Sequence, residues 1–121
     1  MHLTRRDFER LVEEALETLP PQFVALIENI AITVEEEPTD DDLDHLEPES
    51  DDDELLGIYR GTPLTERVHD MSPRLPDTIA IFRGPILRVC ETRRDAVEEI
   101  RETVIHELGH YFGLSDDEME Y

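Results

Sequence analysis

Residues 92–116 read TRRDAVEEIRETVIHELGHYFGLSD. The stretch opens on Thr92-Arg93-Arg94-Asp95, a Ser/Thr-x-x-acid signal for a helix start. Val97, Ile100, Val104 and Leu108 then recur at helical steps as one apolar stripe. Gly113 is a natural left-handed stop after Phe112. The spacing predicts a helix of about 20 residues, some 30 Å long. Within it, His106 and His110 are four positions apart, offset by about 40° and about 6 Å in rise, so their rings project side by side. His106 lies about 200° around the helix from Val104 and Leu108. The histidine face is therefore distinct from the core stripe.

Working outward, Thr4-Arg5-Arg6-Asp7 repeats the same start signal. Phe8, Leu11, Val12, Ala15, Leu16 and Leu19 follow it, predicting an amphipathic helix over 4–19. Pro20-Pro21 stop that helix, and Phe23, Leu26, Ile27 and Ile30 restart the period. Ile30–Val34 and Leu55–Arg60 read as strands, as does Thr78–Arg83, which Gly84-Pro85 end. Residues 62–77 carry Pro63, Pro73 and Pro76 and read as irregular. Helices segregated from a small sheet predict an α+β domain spanning 1–121.

All 11 basic residues are arginine, set against 32 acidic ones, for a formal charge of −21. Such a field repels phosphates and so argues against nucleic acid or an anionic membrane as partner. Residues 35–54 hold 13 of the acidic side chains and no basic one. With Pro38, Pro48 and only Leu43 and Leu46 as large apolar residues, this composition predicts a mobile acidic loop, dispensable for folding. The sharper readings of such a loop are a docking surface for a protein partner, a loose cation trap or a lid over a site. The segment lacks the spacing of a dedicated calcium loop. The lone Cys90 cannot form an internal disulfide, which predicts a reducing, cytoplasmic setting. No apolar run approaches the length of a membrane span, and no signal-peptide core follows Met1.

The chemistry lies in His106-Glu107-Leu108-Gly109-His110, an H-E-x-x-H pattern. Two imidazoles one helical turn apart can grip one zinc ion. Glu107, about 100° around from His106, can instead reach a water on the metal and take its proton, since zinc lowers the pKa of that water to about 7. Catalytic zinc usually has three protein ligands. Gly113 permits a sharp turn that brings Asp116 back within reach, with Asp117 and Glu118 as close alternatives. Composition alone would place H-E-x-x-H in about 3% of shuffled chains, and the added Gly and Asp in about 2 in 10,000, so the longer pattern is a specific signal.

At these residues the chain resembles the zincin metallopeptidases, in the metzincin form H-E-x-x-H-x-x-G-x-x-H/D. The resemblance implies zinc held by His106, His110 and Asp116, with Glu107 as general base and acid. It also implies a peptide lying along a sheet edge beside the helix. The layout is similar to that of small single-domain zincin-like proteins of bacteria, implying a minimal zincin-like fold: N-terminal helices, a small mixed sheet and a C-terminal active-site helix. Eleven residues follow His110. That length leaves no room for the distant glutamate ligand of gluzincins or for a Met-turn; Met119 is too close.

These residues therefore predict a zinc-dependent peptidase acting on a peptide or protein. The alternatives are a zinc-binding interaction or regulatory module without turnover, in which His45 or Cys90 could add a fourth ligand, and a metal-dependent ribonuclease. The last lacks support, because Asp116 stands where that pattern has a histidine and the charge opposes RNA. Tyr111, Tyr121 and His69 are candidates for a second electrophile.

Overall fold

A computed structural model describes residues 1–28, 30–44, 54–61 and 77–111. Among them lie five helices and three strands: α1 Arg5–Glu17, α2 Pro21–Ile27, β1 Ile30–Glu35, α3 Asp40–Asp44, β2 Gly57–Arg60, β3 Asp77–Phe82, α4 Arg83–Val89 and α5 Arg93–Tyr111. The architecture is the α+β arrangement that the sequence predicts. Both Thr-Arg-Arg-Asp tetrapeptides act as caps. Thr4 Oγ1 accepts the Asp7 amide at 3.1 Å, and Thr92 Oγ1 accepts the Asp95 amide at 3.0 Å. Each satisfies one of the unpaired amides that every helix start leaves.

The sheet order is β1-β3-β2. β3 pairs with β1 in parallel, Ile30 opposite Asp77 and Glu35 opposite Phe82. It pairs with β2 antiparallel, Gly57 opposite Ile81 and Arg60 opposite Thr78. The sheet is therefore mixed and, among the described residues, leaves β2 on an edge. Ile79, Ala80, Ile81 and Phe82 of the central strand are all fully buried, as expected of a strand covered on both faces. Phe8, Leu11, Val12 and Ala15 of α1 share one core with Ile79, Ile81 and the α5 residues Ala96, Ile100, Val104, Ile105 and Leu108. The α5 stripe thus reaches the core as its spacing predicts; Val97 is only partly buried against it.

Three details differ from the sequence reading. β2 is two residues shorter than Leu55–Arg60, although the Leu56 carbonyl still accepts the Phe82 amide at 2.9 Å. β3 runs Asp77–Phe82 instead of Thr78–Arg83, and Gly84-Pro85 belong to a helix that the sequence reading did not contain. They lie in the first turn of α4, where a missing N–H and a fixed φ cost the helix nothing. Pro85, Ile86 and Leu87 are buried there.

The third concerns the acidic segment, whose described residues, 35–44 and 54, carry secondary structure and ion pairs. Glu35 ends β1, and α3 is a short helix with a reciprocal cap: the Thr39 amide donates to Asp42 Oδ2 at 2.9 Å and the Asp42 amide to Thr39 Oγ1 at 3.1 Å. Arginine supplies what apolar residues do not. Arg60 bridges Glu35 and Asp42, Arg83 holds Glu36, and Arg88 holds both Glu37 and Glu54. The planar guanidinium suits this paired recognition of carboxylates. Hydrogen bonds from Arg83 and Arg88 hold the Glu36 and Glu37 carboxyls below the ordinary value. Residues 45–53, with His45, lie outside the described residues.

Candidate metal centre

The last two turns of α5 carry the site because the helix has two different sides there. Ile105 and Leu108 face the core at 2% and 0% exposure. His106 and His110 project from the other side, with their side chains 47% and 43% exposed. Their Nε2 atoms are 3.2 Å apart, the ring centroids 4.9 Å, and the ring planes meet at 65°. Two imidazoles on one tetrahedral zinc, with bonds of about 2.1 Å, would hold their nitrogens roughly 3.4 Å apart. The observed pair fits that requirement.

Glu107 stands between the core and the histidines, with its side chain 12% exposed. One oxygen, Oε1, accepts the backbone amide of Tyr59 on the edge strand β2 at 2.7 Å. The other, Oε2, is 3.9 Å from Nε2 of His106 and 3.9 Å from Nε2 of His110. The carboxylate is thus fixed at one oxygen and presents the second symmetrically to the histidine pair. Ligand atoms of all three residues lie within 4.8 Å of one another, a spacing that can hold a metal ion. Two imidazoles and a carboxylate are donors suited to zinc.

Contact between β2 and α5 produces this geometry. Gly57 lies so close to the helix that a Cβ there would stand 2.6 Å from Thr103 Cγ2 and 2.8 Å from the Ala80 carbonyl oxygen. Two residues further along the strand is Tyr59, and one turn further along the helix is Glu107.

The structure therefore brings together His106, Glu107 and His110. Asp116, Asp117, Glu118, Gly113, Met119, Tyr121 and His69 lie outside the described residues. Tyr111 ends α5, and its side chain is likewise outside them. Cys90 is buried in the core at 4% exposure, and burial, with Glu99 and Asp95 nearby, pushes its thiol up to about 11. Sequence reasoning missed the Tyr59 amide, which no side-chain letter encodes. The only available signal was Gly57, a glycine within an otherwise apolar strand candidate, which marks a close backbone approach. No described helix is long and apolar enough to cross a membrane.

A family model described as zincin-like metallopeptidase matches residues 27–121. A solved structure of a conserved hypothetical protein from T. thermophilus is similar over 91% of this chain and 94% of its own, at 27% identity and a TM-score of 0.57. No curated protein matches the sequence. The family match takes in β1, the edge strand β2 and the whole of α5, the elements from which the His106, Glu107 and His110 cluster is built, and the chain belongs to the zincin-like metallopeptidase family.

Proposed function

We propose that the protein is a zinc-dependent peptidase, with His106, His110 and Asp116 as metal ligands and Glu107 as general base. The observation that carries this reading is the placement of Glu107 Oε2, 3.9 Å from both histidine nitrogens, while Oε1 is tied to β2. Zinc bound there would polarise a peptide carbonyl and lower the pKa of water from 15.7 to about 7. Glu107 Oε2 then accepts a proton from the attacking water and returns it to the leaving amine nitrogen. The Tyr59 amide keeps the carboxylate from rotating away during that exchange. Among the described residues β2 is an edge strand beside the site, and because its Tyr59 amide is taken by Glu107, an extended peptide would have to use the remaining main-chain groups of that edge. The substrate class that fits is a peptide or protein segment in extended form. A cytoplasmic setting is part of this proposal and rests on the single, buried thiol.

Two measurements test the reading. The wild type should bind one zinc per chain, and His106→Ala should lose it. The zinc-loaded wild type should cleave members of a peptide library, and Glu107→Ala should keep the metal and lose cleavage. A fully loaded wild type without turnover on any library would leave a zinc-binding module and overturn the peptidase reading.

A further inference from the structure

The position of the general base depends on a strand 48 residues away in sequence. The strand advances about 6.7 Å over the two residues from Gly57 to Tyr59. The helix advances about 6 Å over the four residues from Thr103 to Glu107. The steps match, so the spacing between β2 and α5 at the first pair sets the spacing at the second. At the first pair there is no room for a methyl group: the nearest contacts, at 2.6 and 2.8 Å, are the Thr103 methyl and the backbone oxygen of Ala80. The Ala80 oxygen belongs to the buried central strand and cannot give way. A side chain at 57 must therefore push β2 away from its neighbours, and the 2.7 Å bond at Tyr59 is the contact that lengthens.

We propose that Gly57 is a positioning residue for Glu107: by letting β2 lie against Thr103, it brings the Tyr59 amide onto Oε1 and so aims Oε2 at the histidine pair. The role assigned to Glu107 rests on the peptidase reading, but the spacing itself can be measured without turnover. The spacing of the two histidines is set within α5, since both belong to that helix.

The test uses the full chain with Gly57→Ala, and with Thr103→Ile as a second variant that adds bulk from the helix side. Amide exchange is followed by NMR. In both variants the Tyr59 amide should exchange roughly 10- to 100-fold faster, the loss expected for a hydrogen bond to a charged acceptor. Exchange at Ile58, which pairs with Ala80 and meets part of the same crowding, should accelerate less than at Tyr59, and one zinc per chain should still bind. If the wild type turns over peptides, kcat should fall at least about tenfold while KM stays within about twofold, because aim of the base is lost and binding is not. Unchanged Tyr59 exchange in both variants would overturn the proposal. So would equal acceleration at Ile58 and Tyr59, which would mean that β2 has simply melted. A wild type without turnover would sink the peptidase reading alone and leave the exchange result to decide the positioning.

Discussion

Arg60 binds two carboxylates, one of them buried, and its replacement by methionine gives a stringent test of what fixes the acidic segment. Methionine keeps a similar aliphatic stem and deletes only the guanidinium. That group donates to Glu35 at 2.6 and 3.0 Å and to Asp42 at 2.7 and 3.2 Å. Its partners differ in kind. The Glu35 side chain is 34% exposed, and that pair is worth under about 1 kcal/mol. The Asp42 side chain is 7% exposed, so its carboxylate would lose its charge partner while out of water. Breaking a fully buried pair costs about 3–5 kcal/mol. Arg60 itself is 35% exposed and Thr39 still donates to Asp42, so roughly 2 kcal/mol is the better figure here. Urea unfolding at pH 7 should then show a total loss of about 2–3 kcal/mol for Arg60→Met.

Adding Asp42→Asn removes the stranded charge, so the double variant should be less damaged than the two singles predict, with a coupling of about 1–2 kcal/mol. The pH dependence follows from Asp42. Burial raises its carboxyl, but the hydrogen bonds from Arg60 and Thr39 outweigh that and hold it below its ordinary value. A carboxyl lowered on folding stabilises fully above its unfolded value of about 3.9, and that contribution disappears as pH falls through the lower folded value. The gap between wild type and Arg60→Met should be constant above about pH 5 and narrow below about pH 4. Single-variant losses that add to within about 0.5 kcal/mol would refute the reasoning, because they would mean that Arg60 and Asp42 do not feel one another.

Replacing residues 35–54 with a Gly/Ser linker should lower the melting temperature markedly. It removes the end of β1, the buried Asp42 and the carboxylates on Arg60, Arg83 and Arg88; thermal unfolding by circular dichroism measures it. Cys90 should react with a disulfide reagent far more slowly than a free thiol at pH 8. Its thiol is pushed up to about 11 by burial, with Glu99 and Asp95 adding to the shift, and rapid reaction should appear only on unfolding in urea.

What could be read from the sequence was what neighbouring residues decide among themselves. The α5 helix announced itself through Thr92-x-x-Asp95 and the stripe Ile100, Val104, Leu108, and the histidine pair followed from a spacing of four. β1 and β3 were visible as β-branched runs. What escaped depends on distant partners or on backbone. Thr39-x-x-Asp42 carries the same start signal as the two longer helices, but it sits among acidic residues whose burial makes sense only once Arg60 is beside them. α4 was hidden because a Gly-Pro pair breaks a strand and can equally begin a helix. The anchor of Glu107 is a main-chain amide, and its nearness follows from the packing of Gly57 rather than from any residue type at 59.

The two halves of the site also differ in how much chain must be organised to make them. His106 and His110 become neighbours as soon as one turn of helix closes, an event of high local order and low loop entropy. Glu107 reaches its setting only after β2 has joined β3 and packed on α5, and β3 must also find β1 across the 47 positions from Ile30 to Asp77. Such long-range contacts are slow to form and are lost together. A nascent or partly unfolded chain can thus bring the two imidazoles together before the carboxylate reaches its place beside them. The fold thereby orders the assembly of the cluster: pairing of the histidines requires one turn of helix, and placement of Glu107 requires the sheet packed on α5.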